Sequence, residues 1–193
     1  LVKPNLLPRM NFSREIPVVE STMVVIPALL TMVEEIENLV EALEVRFLAN
    51  RHNNLYFGLL TDFTDASVET LPEDQSLLDL TAKRIKELNK KYKREKNDLF
   101  FLFHRPRKWN PQENAWMGYE RKRGKLSELN SLLRGEHKGF FSLIIGDQSI
   151  FPKIKYVITL DADTQLPMGS AWKLIGTMAH PLNHAWYNEK KKR

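Results

Sequence analysis

Two aspartates separated by one small residue, Asp161-Ala-Asp163, follow directly on a run of strand-forming residues, Tyr156-Val-Ile-Thr-Leu160. In an extended strand successive side chains face opposite ways, so residues two apart share a side. Read as the end of a strand, the segment places both carboxylates together and keeps Ala162 clear. Two carboxylates that close repel each other unless a positive charge lies between them. A hard divalent cation accepts such oxygen ligands and can itself bind a diphosphate. The spacing therefore predicts Asp161 and Asp163 as metal ligands beside a nucleotide. A turn that caps the next helix is the plainer alternative.

Other residues point to the same chemistry. Asp62 and Asp65 come just after Leu55-Tyr-Phe-Gly-Leu-Leu60, a second apolar run. At the rim of a nucleotide-binding α/β sheet, an acid there can bond a ribose hydroxyl or a base edge. An Asx-turn opening a loop would use the same residue type. Arg121-Lys122-Arg123-Gly124-Lys125 begins a helical stretch, although helix starts favour acids. Something anionic should compensate. A diphosphate fits, with Gly124 allowing close backbone approach and helix amides plus Arg or Lys supplying donors. A solvated helix face is the alternative. Trp109 and Trp116 lie in a polar stretch, where they would either stack on the C–H faces of a sugar or pack the loop onto the sheet. His104, His137, His180 and His184 lack zinc spacing, and no Walker loop, dinucleotide fingerprint or Gly-x-Ser-x-Gly is present.

Elements that would position these residues can be read from periodicity. Apolar strands are expected at Ser21 to Ile26 (ended by Pro27), Leu55 to Leu60, Asp98 to Phe103 and Tyr156 to Leu160. Helices are expected from Thr31, where Glu34 completes a capping-box spacing, with Ile36, Leu39, Val40, Leu43 and Phe47 inward. Further helices are expected over Asp74–Lys93, Arg121–Arg134 and Ser170–Ala179, and Phe140 to Ile145 reads as an extra edge strand or hairpin. Strands alternating with helices predict a mostly parallel, doubly wound α/β sheet with helices on both faces. In its commonest order the first and fourth strands are neighbours, which would gather Asp62, Asp65, Asp161 and Asp163 at one rim.

Bulk properties bound the reading. The 193 residues suit one domain, and the absence of cysteine excludes disulfides and thiolate zinc sites. The longest apolar run, Thr22 to Val33, is too short for a membrane span and contains Pro27. Of the formal charge of +5, a basic tail at 184–193 and the stretch from Arg105 to Lys125 hold more than all, leaving the remainder acidic. Residues 1–20, with three prolines, read as an extended arm or linker. Nucleic acid is not expected as a partner, because no recognised motif is present and the candidate rim is acidic.

In order along the chain, these pieces resemble the amino-terminal half of a GT-A glycosyltransferase. They are similar, more closely, to the glycosyltransferase domain of cyclic β-1,2-glucan synthases. The strings that carry this are Thr22-Met-Val-Val-Ile-Pro-Ala-Leu-Leu-Thr31, Leu60-Thr-Asp-Phe-Thr-Asp-Ala66, Leu102-Phe-His-Arg-Pro-Arg-Lys-Trp109-Asn, Glu120-Arg-Lys-Arg-Gly-Lys-Leu126, Thr159-Leu-Asp-Ala-Asp-Thr-Gln-Leu-Pro167 and Ala179-His-Pro-Leu-Asn183. The resemblance covers 1–183 and implies a UDP-glucose donor, Mg2+ or Mn2+ on Asp161 and Asp163, uridine contacts from Asp62 and Asp65, and phosphate or sugar contacts from Arg121, Arg123 and Lys125. It also implies inverting transfer to a glucan acceptor within a larger enzyme on the cytoplasmic face of a bacterial inner membrane. The general base would lie beyond residue 193, so this stretch alone would be an inactive, incomplete half. Two other classes remain: a polyanion-binding interaction module using the basic loop and tail, and a haloacid-dehalogenase-like phosphatase. The second is disfavoured by Gln165 where that motif wants Thr or Val, and by a last rather than first strand.

Overall fold

The computed structural model describes residues 6–93, 97–136, 139–184, 189–190 and 192. His137 and much of the expected basic tail lie outside the described residues. Five strands form the main sheet: β1 (Thr22–Leu30), β2 (Leu55–Phe63), β3 (Phe100–His104), β6 (Leu143–Ile145) and β7 (Tyr156–Thr159). Their order is β6-β3-β2-β1-β7, with β6 alone antiparallel. A separate hairpin pairs β4 (Lys108–Asn110) with β5 (Ala115–Met117). The first and last parallel strands are neighbours, as the alternating pattern predicts.

Strand alternation divides the core between two faces. Val24 and Ile26 of β1, Phe57 and Leu59 of β2, and Phe100 and Leu102 of β3 join one cluster. It is covered by helices α1 (Val33–Ala49), α2 (Asp74–Lys91) and α4 (Ser170–Ala179). Met23 and Val25, Tyr56 and Leu60, and Phe101 and Phe103 face the other way. They meet Leu129 and Leu132 of helix α3 (Arg121–Leu133) and Ile150 and Phe151 of the short 3-10 segment Gln148–Lys153. The inward stripe expected for α1 is buried at Ile36, Val40, Leu43 and Phe47. No capping box forms at its start. Met32 is the cap residue, and the Thr31 hydroxyl donates to the Glu35 carboxylate instead.

Pro27 does not end β1, which runs on to Leu30. The Val25 carbonyl accepts from Leu160 N (3.0 Å), so residues 25 and 27 direct their backbone polar groups toward β7. The pairing of β1 with β7 stops at Val25 and Thr159. Proline therefore stands where the ladder asks for no N–H. The arm is not a free linker over the described residues: Phe12 and Ile16 are buried in the core, and Met10 N donates to Gly176 O (2.9 Å). Among the described residues no helix is long and apolar enough to cross a membrane.

Gly146 follows β6 at φ +114°, and a Cβ there would overlap the ring of Phe101. Gly146→Ala adds a side chain to a left-handed backbone and crowds the core at once, so urea unfolding should show a loss of at least about 1 kcal/mol.

Candidate functional site

The carboxyl ends of β1 and β2, the flank of α1, the start of α3 and the loop after β7 enclose one cleft of about 700 Å3. Pro27, Leu29, Leu39, Ala42 and Phe63 give it apolar walls, while Asp65, Arg121 and Lys122 line it with charge. This is the crevice expected of a doubly wound sheet, outside the ends of its parallel strands.

Asp62 is the centre of a buried ion cluster rather than an open ligand. It is 2% exposed. Arg105 grips it with a fork, Nε to Oδ1 at 2.8 Å and Nη2 to Oδ2 at 2.9 Å. Lys125 Nζ lies 3.1 Å from the same Oδ2 and donates to the Ala28 carbonyl (2.8 Å). Glu128 accepts from Arg105 Nη1 at 2.8 Å, so two acids face two buried cations. Burial works against the Arg105 charge, but the bonds and attraction of Asp62 and Glu128 together outweigh it and leave its pKa raised. For Lys125 burial prevails over Asp62 and holds the ammonium below the usual lysine range. Gly118 packs so closely on Asp62 that any Cβ would overlap Oδ2.

The basic start of α3 is compensated by protein acids. Arg121 pairs with Asp65 at 2.9 Å, Lys122 with Asp161, Arg123 with Glu120, and Lys125 with Asp62. Arg121, Lys122 and Lys125 line the cleft, as do Asp62 and Asp65. Arg123 is 79% exposed on its side chain and is not part of the cleft lining. Gly124 is needed for a reason other than ligand approach: a Cβ there would overlap the Tyr119 carbonyl of the preceding turn. That turn is tight enough to hold Glu120 (φ 52°) and Arg121 (φ 48°) in the left-handed region.

The acidic pair also differs from the strand geometry expected for it. Strand β7 ends at Thr159, and Asp161 to Thr164 form a turn closed by Thr164 N donating to Asp161 O (2.9 Å). Asp161 and Asp163 are both exposed. The turn is held from below by α1: Arg46, 2% exposed, donates Nη2 to the carbonyls of Ala162 (2.6 Å) and Thr164 (2.7 Å) and Nε to Thr164 (3.1 Å). Asn50 continues the clamp, donating to Leu166 O (3.1 Å) and accepting from Ala171 N (3.1 Å). The four acids do not assemble around one point. Among the described residues no three acidic or histidine side chains come close enough to hold a metal ion together. The donor chemistry of Asp161 and Asp163, two exposed carboxylates, fits a hard cation whose remaining positions go to phosphate and water.

His104 closes the carboxyl end of β3. It is 1% exposed, its Nδ1 lies 2.9 Å from the Thr61 hydroxyl, and its Nε2 has no hydrogen-bond partner among the described residues. Burial drives its pKa to about 4, against the weaker pull of Asp62 and Asp74. The tryptophans form a cross-strand pair in the β4–β5 hairpin, ring centroids 6.0 Å apart. Trp109 is 44% exposed, and Trp116 exchanges backbone bonds with Ala66 (2.8 and 2.9 Å). Buried Arg105 and Arg107 precede the hairpin, and Arg107 pairs with Asp74 while donating to Thr64 O (2.6 Å).

Sequence reasoning singled out neither Arg46 nor Arg105. Arg46 had a legible signal, a cation inside the apolar stripe of α1 next to Phe47. Arg105 had none, because a single arginine after a strand reads as a loop cation.

Sheet order and cleft together define a mostly parallel, doubly wound α/β protein with a crevice outside the ends of its strands. No protein-family model matches the chain. It is 39% identical over 188 residues, 97% of its length, to cyclic beta-(1,2)-glucan synthase NdvB of Rhizobium meliloti (strain 1021). The chain spans 7% of that protein's length. It is thus related to the cyclic β-1,2-glucan synthases over nearly all of its residues.

Asp62→Asn leaves Arg105 and Lys125 buried against a neutral amide and should cost about 3–5 kcal/mol in urea unfolding. Asp161→Asn, at an exposed pair, should cost less than about 1 kcal/mol. For His104 the folded pKa lies below the unfolded value, so the unfolded chain takes up the proton first as pH falls. Its contribution is complete above pH 6.5 and lost toward pH 4. Wild-type stability should therefore drop about 2 kcal/mol more than that of His104→Gln between pH 7 and pH 5.

Proposed function

We propose that this chain is the donor-binding half of a GT-A-type glycosyltransferase domain that takes UDP-glucose with Mg2+ or Mn2+ for glucan synthesis. The observation that carries this reading is the convergence on one cleft of an apolar slot, two accessible cations and the adjoining acidic turn. The slot between β1 and α1, walled by Pro27, Leu39 and Phe63, suits a planar base. Asp65 and Asn38 supply polar groups along it for ribose or base. Arg121 and Lys122, 62% and 49% exposed on their side chains, are free to exchange their surface acids for a diphosphate. Lys125 and Asp62 also border the cleft, but paired and almost fully buried they would act on the ligand chiefly through the field of that cluster.

Asp161 and Asp163 would hold the cation. When bound, it would supply charge stabilisation for the departing nucleoside diphosphate. The chain's own part is to bind and orient: the slot fixes the base, the α3 cations fix the phosphates, and the sugar end is left toward the acidic turn. The tryptophan hairpin, anchored by Arg105 and Arg107 beside the same rim, would receive the glucan acceptor through Trp109 and Trp116. The base that deprotonates the acceptor hydroxyl is assigned to another part of a larger membrane-associated enzyme. On this reading the present residues bind donor but do not transfer glucose.

Calorimetric titration tests the reading directly. UDP should bind with an affinity that rises on adding Mn2+, and the Asp161→Asn/Asp163→Asn protein should lose that rise, about tenfold or more in Kd. Binding that ignores both metal and substitution, yet weakens steeply with salt for any polyanion, would establish an interaction module instead.

A further inference from the structure

We propose that Arg46 is a positioning residue for the acidic turn, holding Asp161 and Asp163 where a cation can join them to a diphosphate. The inference rests on the donor-binding reading and extends it to a residue in α1. A buried guanidinium is costly unless charge and hydrogen bonds compensate it. Arg46 has no carboxylate in salt-bridge contact among the described residues. It directs its bonds to the carbonyls of Ala162 and Thr164. Those two residues alternate with the two aspartates, so fixing their carbonyls inward fixes the backbone from which both carboxylates project. Asn50, one helical turn on, holds Leu166 and the start of α4 in the same manner.

The charge matters as well as the bonds. Asp161 and Asp163 repel each other and an incoming diphosphate, and Arg46 beneath the turn on the α1 side attracts Asp163. An uncharged donor of similar length would keep some of the bonds and lose that attraction. Lysine would keep the charge and could bridge both carbonyls from one nitrogen as Nη2 does, but it would lose the second bond to Thr164 that Nε makes.

Two measurements on Arg46→Gln and Arg46→Lys decide the matter. Asn89→Ala serves as a control for general loosening, because Asn89 bonds Leu99 and Phe100 at the far end of β3. Hydrogen exchange, read without ligand, should accelerate over 161–167 in both Arg46 variants and not in Asn89→Ala. In UDP titrations the gain in affinity from Mn2+ should fall about tenfold in Arg46→Gln and less in Arg46→Lys. Metal-free UDP affinity should stay within about twofold of wild type. Should Arg46→Gln fail to fold, Arg46→Lys carries both comparisons. Unchanged exchange over 161–167, or a metal-dependent gain equal to that of wild type, overturns the role of Arg46. A wild type that shows no metal dependence overturns the metal reading itself, with the exchange result then reporting a purely structural clamp.

Discussion

A carboxylate sealed beneath the end of β2 organises this protein. Asp62 binds Arg105 from the end of β3 and Lys125 from α3, and Lys125 in turn holds the Ala28 carbonyl of β1. Three strands and a helix on the far face are thereby joined at one point. Charges taken out of water stabilise only if nearly every polar atom is matched, which makes the arrangement intolerant of change. That intolerance explains Gly118, whose missing side chain leaves room for the Asp62 oxygens. It also places the rim of the cleft on rigid ground.

The same rim shows how one residue type serves different ends. Asp62, Asp65 and Asp161, at the carboxyl ends of β2 and β7, each pair with a cation that opens α3. Where the pair is buried, as with Asp62 and Lys125, it fixes structure. Where it is exposed, as with Asp65 and Arg121 or Asp161 and Lys122, water screens it and exchange for a ligand is inexpensive. The cleft is thus electrically balanced at rest, yet its outer cations can be recruited by an anion. Beneath it Arg46 performs for the acidic turn the service Arg105 performs for Asp62. It does so through carbonyls rather than a carboxylate.

Much of the architecture was legible beforehand because it depends on local pattern. Alternating apolar runs and helical stripes gave the parallel strands, the neighbouring first and last of them, and the four helices within a few residues. The errors have physical causes. Proline was read as a stop in β1, but β7 ends opposite Val25 and leaves position 27 without a ladder bond to lose. The short β4–β5 hairpin has too few residues to show a period. Gly124 was assigned to a ligand when it serves its own turn.

For the candidate site, sequence by itself determined the residue types and their attachment to strand and helix ends: Asp62 and Asp65 after β2, the cations at the start of α3, Asp161 and Asp163 after β7. Tertiary structure alone decided which charge meets which. Partner choice depends on distances between residues far apart in sequence, 43 positions for Asp62 with Arg105 and 118 for Arg46 with Thr164. Local propensity carries no information on such distances. Burial then settles the outcome, since the dielectric around a charge decides whether it is a fixed strut or an exchangeable contact.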